Sequence, residues 1–200
     1  MSDYSVSQLV SRIDALEIQV SKLRRVESRG WEIHYEVPAG GVASYTVSAI
    51  PQYARHIRVI AQARSDNASN FVSLQAQINA DAGASYNYQF TFSNAAIVTA
   101  NEVAGATQWR VGTIAAATAT AKYSGAIDMV IPWYGVRNTN VFKLLFMSSN
   151  YVHFSAAAAG RYLMFWQGDY VGNAPMTSIK FFLSAGNFLE GSVFTMYGTG

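Results

Sequence analysis

The sequence predicts a mainly β protein: a jelly-roll-like antiparallel β-sandwich over residues 30–200, preceded by a short coiled-coil helix over residues 1–29. Three observations predict it. Aliphatic residues repeat at heptad spacing from Val6 to Leu23, and the repeat stops before Gly30. From Trp31 onward, short β-rich runs alternate with Gly, Asn, Asp and Pro clusters every roughly 8–15 residues. Half of the 200 residues are hydrophobic and only 13% are charged, so the chain can bury one core and does not have the composition of a disordered protein.

The helix comes first. With Val6, Ile13 and Val20 at heptad position a, Leu9, Leu16 and Leu23 fall at d, so every seam position is aliphatic. The stripe is narrower than the face of a helix lying on its own domain. The expectation is a seam for copies of the same chain, the alternative being an amphipathic helix packed on its own domain. In RIDALE, residues 12–17, Arg12 falls at g and Glu17 at e. The order Arg-apolar-x-x-apolar-Glu resembles a short trimer-specifying coiled-coil motif. Arg12 can cover the seam with its methylenes while its guanidinium grips Glu17 of a neighbour. β-Branched residues at a with Leu at d otherwise favour two strands. The Arg12/Glu17 pair argues for three.

Behind the helix, strands are expected at residues 31–37, 44–49, 56–63, 71–78, 86–92, 107–114, 125–131, 141–148, 162–168, 178–183 and 192–197. Their spacing fits a β-sandwich or jelly roll. HIRVIAQA shows the alternation most clearly, with Ile57, Val59 and Ala61 on one face. The alanine runs at 115–121 and 156–159 fit either short helices or loops. In the last stretch Ile179, Phe181 and Leu183 share a side, Gly186 and Asn187 turn the chain, and Phe188 anchors it. Val193, Thr195 and Tyr197 then alternate on a closing strand, which reads as a final hairpin completing one sheet.

Four phrases carry a resemblance: IPQYARHIRVIAQARSD, NADAGASYNYQ, AIDMVIPWYGVRNTNVFK and the terminal TSIKFFLSAGNFLEGSVFTMYGTG. Together they resemble a group of bacteriophage virion proteins of the tail-fibre or minor structural type. The resemblance covers roughly residues 45–200 and is most specific in the last two dozen. It implies a jelly-roll-like sandwich that assembles as a trimer, in a non-enzymatic virion component. It supplies no catalytic motif.

Composition excludes several classes. A net charge of +2 is too small for a nucleic-acid partner, and the cluster Lys22, Arg24, Arg25 and Arg29 suits the C-terminal end of a helix. There is no cysteine, hence no disulfide or thiolate metal site. MSDYSVSQ lacks the basic-then-apolar order of a signal peptide, and no apolar run is long enough for a membrane span. His34, His56 and His153 show no metal-binding spacing, and neither a phosphate loop nor a nucleophile elbow occurs. Asp66, Asn67, Asn79 and Asp81 offer oxygen ligands in two loops, which fit ordinary Asx turns first and a calcium site as the alternative. No metal and no cofactor are expected.

Glycan recognition is the site chemistry the sequence best supports. Sugar rings present apolar C–H faces and a rim of hydroxyls, which suits exposed aromatic rings beside amides and charges. Trp133, Tyr134, Arg137 and Asn138 form one such set; Asp169, Tyr170 and Asn173 form another. The same rings would also serve as core or as trimer interface. The expectation is a homotrimeric tail or surface fibre, assembled in the host cytoplasm. Its helix binds another virion protein of the tail or capsid, and its head binds host surface polysaccharide. The alternative is a capsid decoration protein or head fibre held to the shell by its N-terminus. An envelope-degrading enzyme is the reading from a different class, and it is disfavoured by the sparse carboxylates.

Overall fold

Alternation of apolar and polar side chains sets the register of each sandwich strand, because a slip of one residue would turn its apolar set to water. In the computed structural model, the described residues are 17, 31–36, 40–94, 97–136, 142–155 and 158–199. They form strands β1 (Trp31–Glu36), β2 (Ser44–Val47), β3 (His56–Ala63), β4 (Phe71–Ile78), β5 (Tyr86–Asn94) and β6 (Ile97–Ala106). These are followed by β7 (Trp109–Ala115), β8 (Gly125–Pro132), β9 (Lys143–Ser155), β10 (Ala158–Tyr170), β11 (Ile179–Leu183) and β12 (Val193–Thr199). In β3, Ile57, Val59, Ala61 and Ala63 are buried while Arg58, Ile60 and Gln62 face out.

The pairing is nested. β1 pairs antiparallel with β12, β2 with β11, β3 with β8, and β4 with β7. Two further pairs, β12 with β3 and β11 with β4, join these into the orders β1-β12-β3-β8 and β2-β11-β4-β7. A long hairpin of nested pairs rolled into two sheets is the jelly-roll arrangement. Two excursions interrupt it: the β5–β6 hairpin between β4 and β7, and the β9–β10 hairpin between β8 and β11. They pair with one another through β10 and β5, and with the frame through β8 and β9. The first sheet thereby grows to eight strands, β1-β12-β3-β8-β9-β10-β5-β6, against four in the second.

One apolar cluster lies between the sheets, drawn from Ile57, Val59, Met129 and Ile131 on one side and Leu74, Ile78, Val111 and Phe181 on the other. Phe194 of β12 ties the sheets together, with ring centroids 4.7 Å from Tyr45, 5.2 Å from Phe181 and 5.4 Å from Phe188. The sheets approach closely at Gly125, where an added Cβ would sit 2.6 Å from Ile114 Cα. A side chain there would force them apart.

The expected sandwich is therefore present, with two corrections. The final segment is no hairpin: β11 lies in the small sheet and β12 in the large one, because nested pairing gives each a partner remote in sequence. β6 was not foreseen; its IVTANEVAGA is largely exposed on both faces and so lacks alternation. Of the two readings open for the alanine runs, loop holds over residues 116–121, while Ala158 and Ala159 open β10. The predicted helical domain 1–29, with Val6, Leu9, Arg12, Ile13, Leu16, Val20 and Leu23, lies outside the described residues. Glu17 alone is described, helical and exposed.

One side chain organises the end of the sandwich where β3, β7 and β11 finish. The Arg64 guanidinium donates to the carbonyls of Thr120 (2.9 Å), Tyr123 (2.7 Å) and Ala119 (2.8 Å). It gathers the β7–β8 connection around one planar fork, a geometry that a lysine ammonium cannot reproduce. Arg64→Ala is expected to lower unfolding free energy by about 2–4 kcal/mol, with Arg64→Lys recovering only part. Urea denaturation midpoints check this; an Arg64→Ala midpoint equal to wild type would show that the loop holds itself.

Candidate functional site

The outward face of a sandwich sheet is normally polar. Here the stretches 144–147 of β9 and 163–166 of β10 are apolar on both faces. Leu145, Met147, Met164 and Trp166 point into the core, while Leu144, Phe146, Leu163 and Phe165 stand 44–56% exposed on the outside. Cross-strand register places their neighbours. One row runs Val130, Phe146, Gln167, Gln89, Glu102 across β8, β9, β10, β5 and β6. The next runs Asp128, Ser148, Phe165, Thr91. Phe146 and Phe165 are thus diagonal neighbours, with amides on the β5 side and an ion pair on the β8 side.

Among the described residues three hollows border Phe146, two flanking it and a third of about 310 Å3 shared with Phe165. A groove of about 320 Å3 lies toward β6, lined by Asn87, Gln89, Glu102, Leu144, Phe146, Gln167 and Asp169. A shallower hollow of about 440 Å3 lies toward β3, lined by Arg58, Asp128, Val130, Ser148 and Phe165 as well as Phe146. The first is at the lower end of the size of ligand pockets. Its polar groups are oriented. Asn87 receives the Gly105 N–H on its carbonyl oxygen (2.9 Å) and donates its amide to Asp169 Oδ1 (2.7 Å). Gln167 donates to Gln89 Oε1 (3.1 Å), leaving the Gln89 amide nitrogen and the Gln167 carbonyl outside that bond. In the second hollow Arg58 grips Asp128 with both arms, one bond being Nε to Oδ1 at 2.7 Å, and the carboxylate raises the guanidinium pKa further.

The sequence-predicted sets gather at one end of the sandwich, where β8 and β10 finish and β1 begins. Met176 N donates to Tyr134 O at 3.0 Å, linking the two loops. Trp133 is 54% exposed in a left-handed conformation (φ 51°), with Arg55 5.9 Å above its ring and His56 against its edge. Tyr134 is a correction: it is fully buried, its hydroxyl donates to Pro51 O, and burial raises its pKa. Tyr170 is another: its ring packs 5.1 Å from Tyr86 and its hydroxyl donates to Asp81 Oδ2 at 2.9 Å. A tyrosine at a loop base buries its ring and finds an acceptor for its hydroxyl, which removes the ring face from any ligand. Asp169 joins the groove and Asn173 is exposed beyond β10. Arg137 and Asn138 lie outside the described residues. Phe146, Phe165, Asn87, Gln89, Glu102 and Gln167 were missed. For Phe146 and Phe165 the signal was present in VFKLLFMS and YLMFWQG, where both alternate sets are largely apolar although a sandwich strand buries only one; the polar residues of β5 and β6 carry no such signal.

The oxygen-rich loops hold themselves. Asp66 accepts the Asn187 N–H (2.6 Å) and amide (3.0 Å) at the Arg64 end. Asp81, at the opposite end, accepts the Gly83 N–H at 2.7 Å. Among the described residues no three His, Cys, Asp or Glu are grouped to hold a metal. Nearby, the Lys143 ammonium is buried, donates to Gly172 O at 3.0 Å, and has its pKa lowered by that burial.

No family model matches the chain, and no curated protein does. Among solved structures it is similar to the CBM2 module of an evolved Dit of Lactobacillus casei BL23 phage J-1, at 7% identity over 78% of this chain and 69% of that one. The TM-score of 0.15 carries no argument about fold or function.

The Asp81 carboxyl is held below its usual pKa by the Gly83 N–H, then by Ser85, with burial opposing and the Tyr170 hydroxyl assisting. Its contribution to stability is present above the unfolded carboxylate pKa and is lost as pH falls through the lower folded value. Melting temperature should therefore drop from about pH 4 downward, and Asp81→Asn should melt lower at neutral pH with a flatter acid limb. Parallel wild-type and variant curves would contradict this.

Proposed function

We propose that this chain is a non-enzymatic structural protein of a bacteriophage virion, a trimeric tail or surface fibre whose jelly-roll domain binds host envelope glycan. The observation that carries the reading is the outer face of the large sheet, where Phe146 and Phe165 stand exposed between oriented amides and carboxylates. The rings take the C–H faces of a saccharide; Asn87, Gln89, Gln167 and Asp169 exchange hydrogen bonds with its hydroxyls. The resemblance of residues 45–200 to phage virion proteins supplies the setting, and the heptad seam from Val6 to Leu23 supplies the trimer. Three weak sites on one particle gain by avidity what each lacks alone. The N-terminal helix would hold another virion protein.

A capsid decoration protein or head fibre is the second reading. The feature that favours it is β6, an edge strand of the large sheet with Ile97 61% and Val98 71% exposed, chemistry that suits a protein neighbour better than a sugar.

Two measurements test the leading reading. On an array of bacterial surface glycans the purified protein should bind and release no saccharide. Phe146→Ala/Phe165→Ala should weaken binding roughly tenfold or more, at about 1 kcal/mol per ring, with melting little changed because both rings are exposed. Undiminished binding by that variant would remove the face from the reading. In sedimentation equilibrium, three copies of the 21.8 kDa chain should run together, and Ile13→Asp/Leu16→Asp should give single chains. A wild-type monomer would end the trimer proposal.

A further inference from the structure

We infer that the groove beside Phe146 selects a neutral, hydroxyl-rich saccharide and turns acidic ones away; this rests on the glycan-binding reading above. Charge distribution carries it. The groove is lined by two carboxylates, Glu102 and Asp169, and by the amides of Asn87, Gln89 and Gln167, with no cation among its lining residues. The Arg58 guanidinium on the same face lines the other hollow, on the β3 side of Phe146, and is already gripped by Asp128. An incoming hexuronate or phosphodiester would meet like charge with no cation in the groove to pair with it.

A neutral sugar meets the opposite situation. A carboxylate accepts hydroxyl protons in short charge-assisted bonds. Asp169 is presented for this, because Asn87 occupies only its Oδ1 and its backbone carbonyl is fixed by the Trp109 indole N–H at 3.0 Å. Glu102 stands opposite Gln89 on β6, so the groove offers acceptors at both margins and amide groups between them. Leu144 and Phe146 supply the apolar wall for ring C–H groups. Specificity thus comes as much from what the margins repel as from what they hold.

The test titrates the full-length protein with neutral hexose oligosaccharides and with hexuronate oligosaccharides of matched length, at low and at physiological salt. Neutral chains should bind at least tenfold tighter at low salt, and added salt should narrow the gap by screening the repulsion. Glu102→Gln/Asp169→Asn should raise hexuronate binding severalfold while lowering neutral binding. Hexuronate binding equal to or tighter than neutral, or a ratio unmoved by both salt and the double variant, would overturn the inference and leave glycan binding standing. No binding of either class by the wild-type protein would overturn the glycan reading itself.

Discussion

The pairing of β10 with β5 is the contact on which the molecule's surface depends. Without it the β5–β6 excursion would be a separate hairpin hanging from the sandwich, since β9 and β10 are already joined to the frame through β8, and isolated two-stranded hairpins are marginal in water. With it, an unbroken ladder from Tyr162 opposite Asn94 to Tyr170 opposite Tyr86 welds β5 and β6 into the large sheet. The sheet becomes twice as wide as the one facing it. Close approach at Gly168 belongs to the same constraint: an added Cβ would lie 2.7 Å from Asn87 O and 3.1 Å from Trp109 Nε1. A side chain there would push β10 off both the strand beside it and the ring beneath it.

The added strands are secured from below. Arg110 of β7, at the edge of the small sheet, places its guanidinium 5.2 Å from the rings of both Phe90 and Trp166. Tyr88 stands 6.2 Å from Trp166 and Phe92 6.3 Å from Phe90, extending the aromatic layer along β5. A guanidinium over ring faces is a strong contact when partly desolvated. Its effect here is positional. It fixes the inner side of β5 and β10, and strand geometry then fixes where Gln89, Gln167 and Phe165 emerge on the outer side. The site is thus built on strands and does not depend on loop conformation.

Legibility followed the physics of burial. Strands 56–63 and 71–78 were read to the residue because one alternate set is apolar and the other is not. β6 was invisible because an edge strand open on both faces needs no alternation. The true ends of β9 and β10 were missed because Ala158, Ala159 and Gly160 have little intrinsic preference for strand and are held there by cross-strand bonds to Ser155, Phe154 and His153. Tyr134 and Tyr170 misled for a related reason: a loop sequence gives no sign of which rings fold inward. The groove was beyond reach because Asn87, Glu102, Leu144 and Asp169 come from four strands. No local window contains them, and only the order β9-β10-β5-β6 brings them side by side.

The groove is a shallow trough along the flank of the sheet, bounded by side chains and not roofed by any described loop. A ligand in such a trough dissociates quickly, since nothing must open to let it go. A long polymer could enter sideways at any point along its length, without threading a free end. On the glycan-binding reading proposed above, a particle bearing many such flanks would creep across a coated surface by exchanging one contact for the next, and its residence there would be governed by how many troughs are engaged at once.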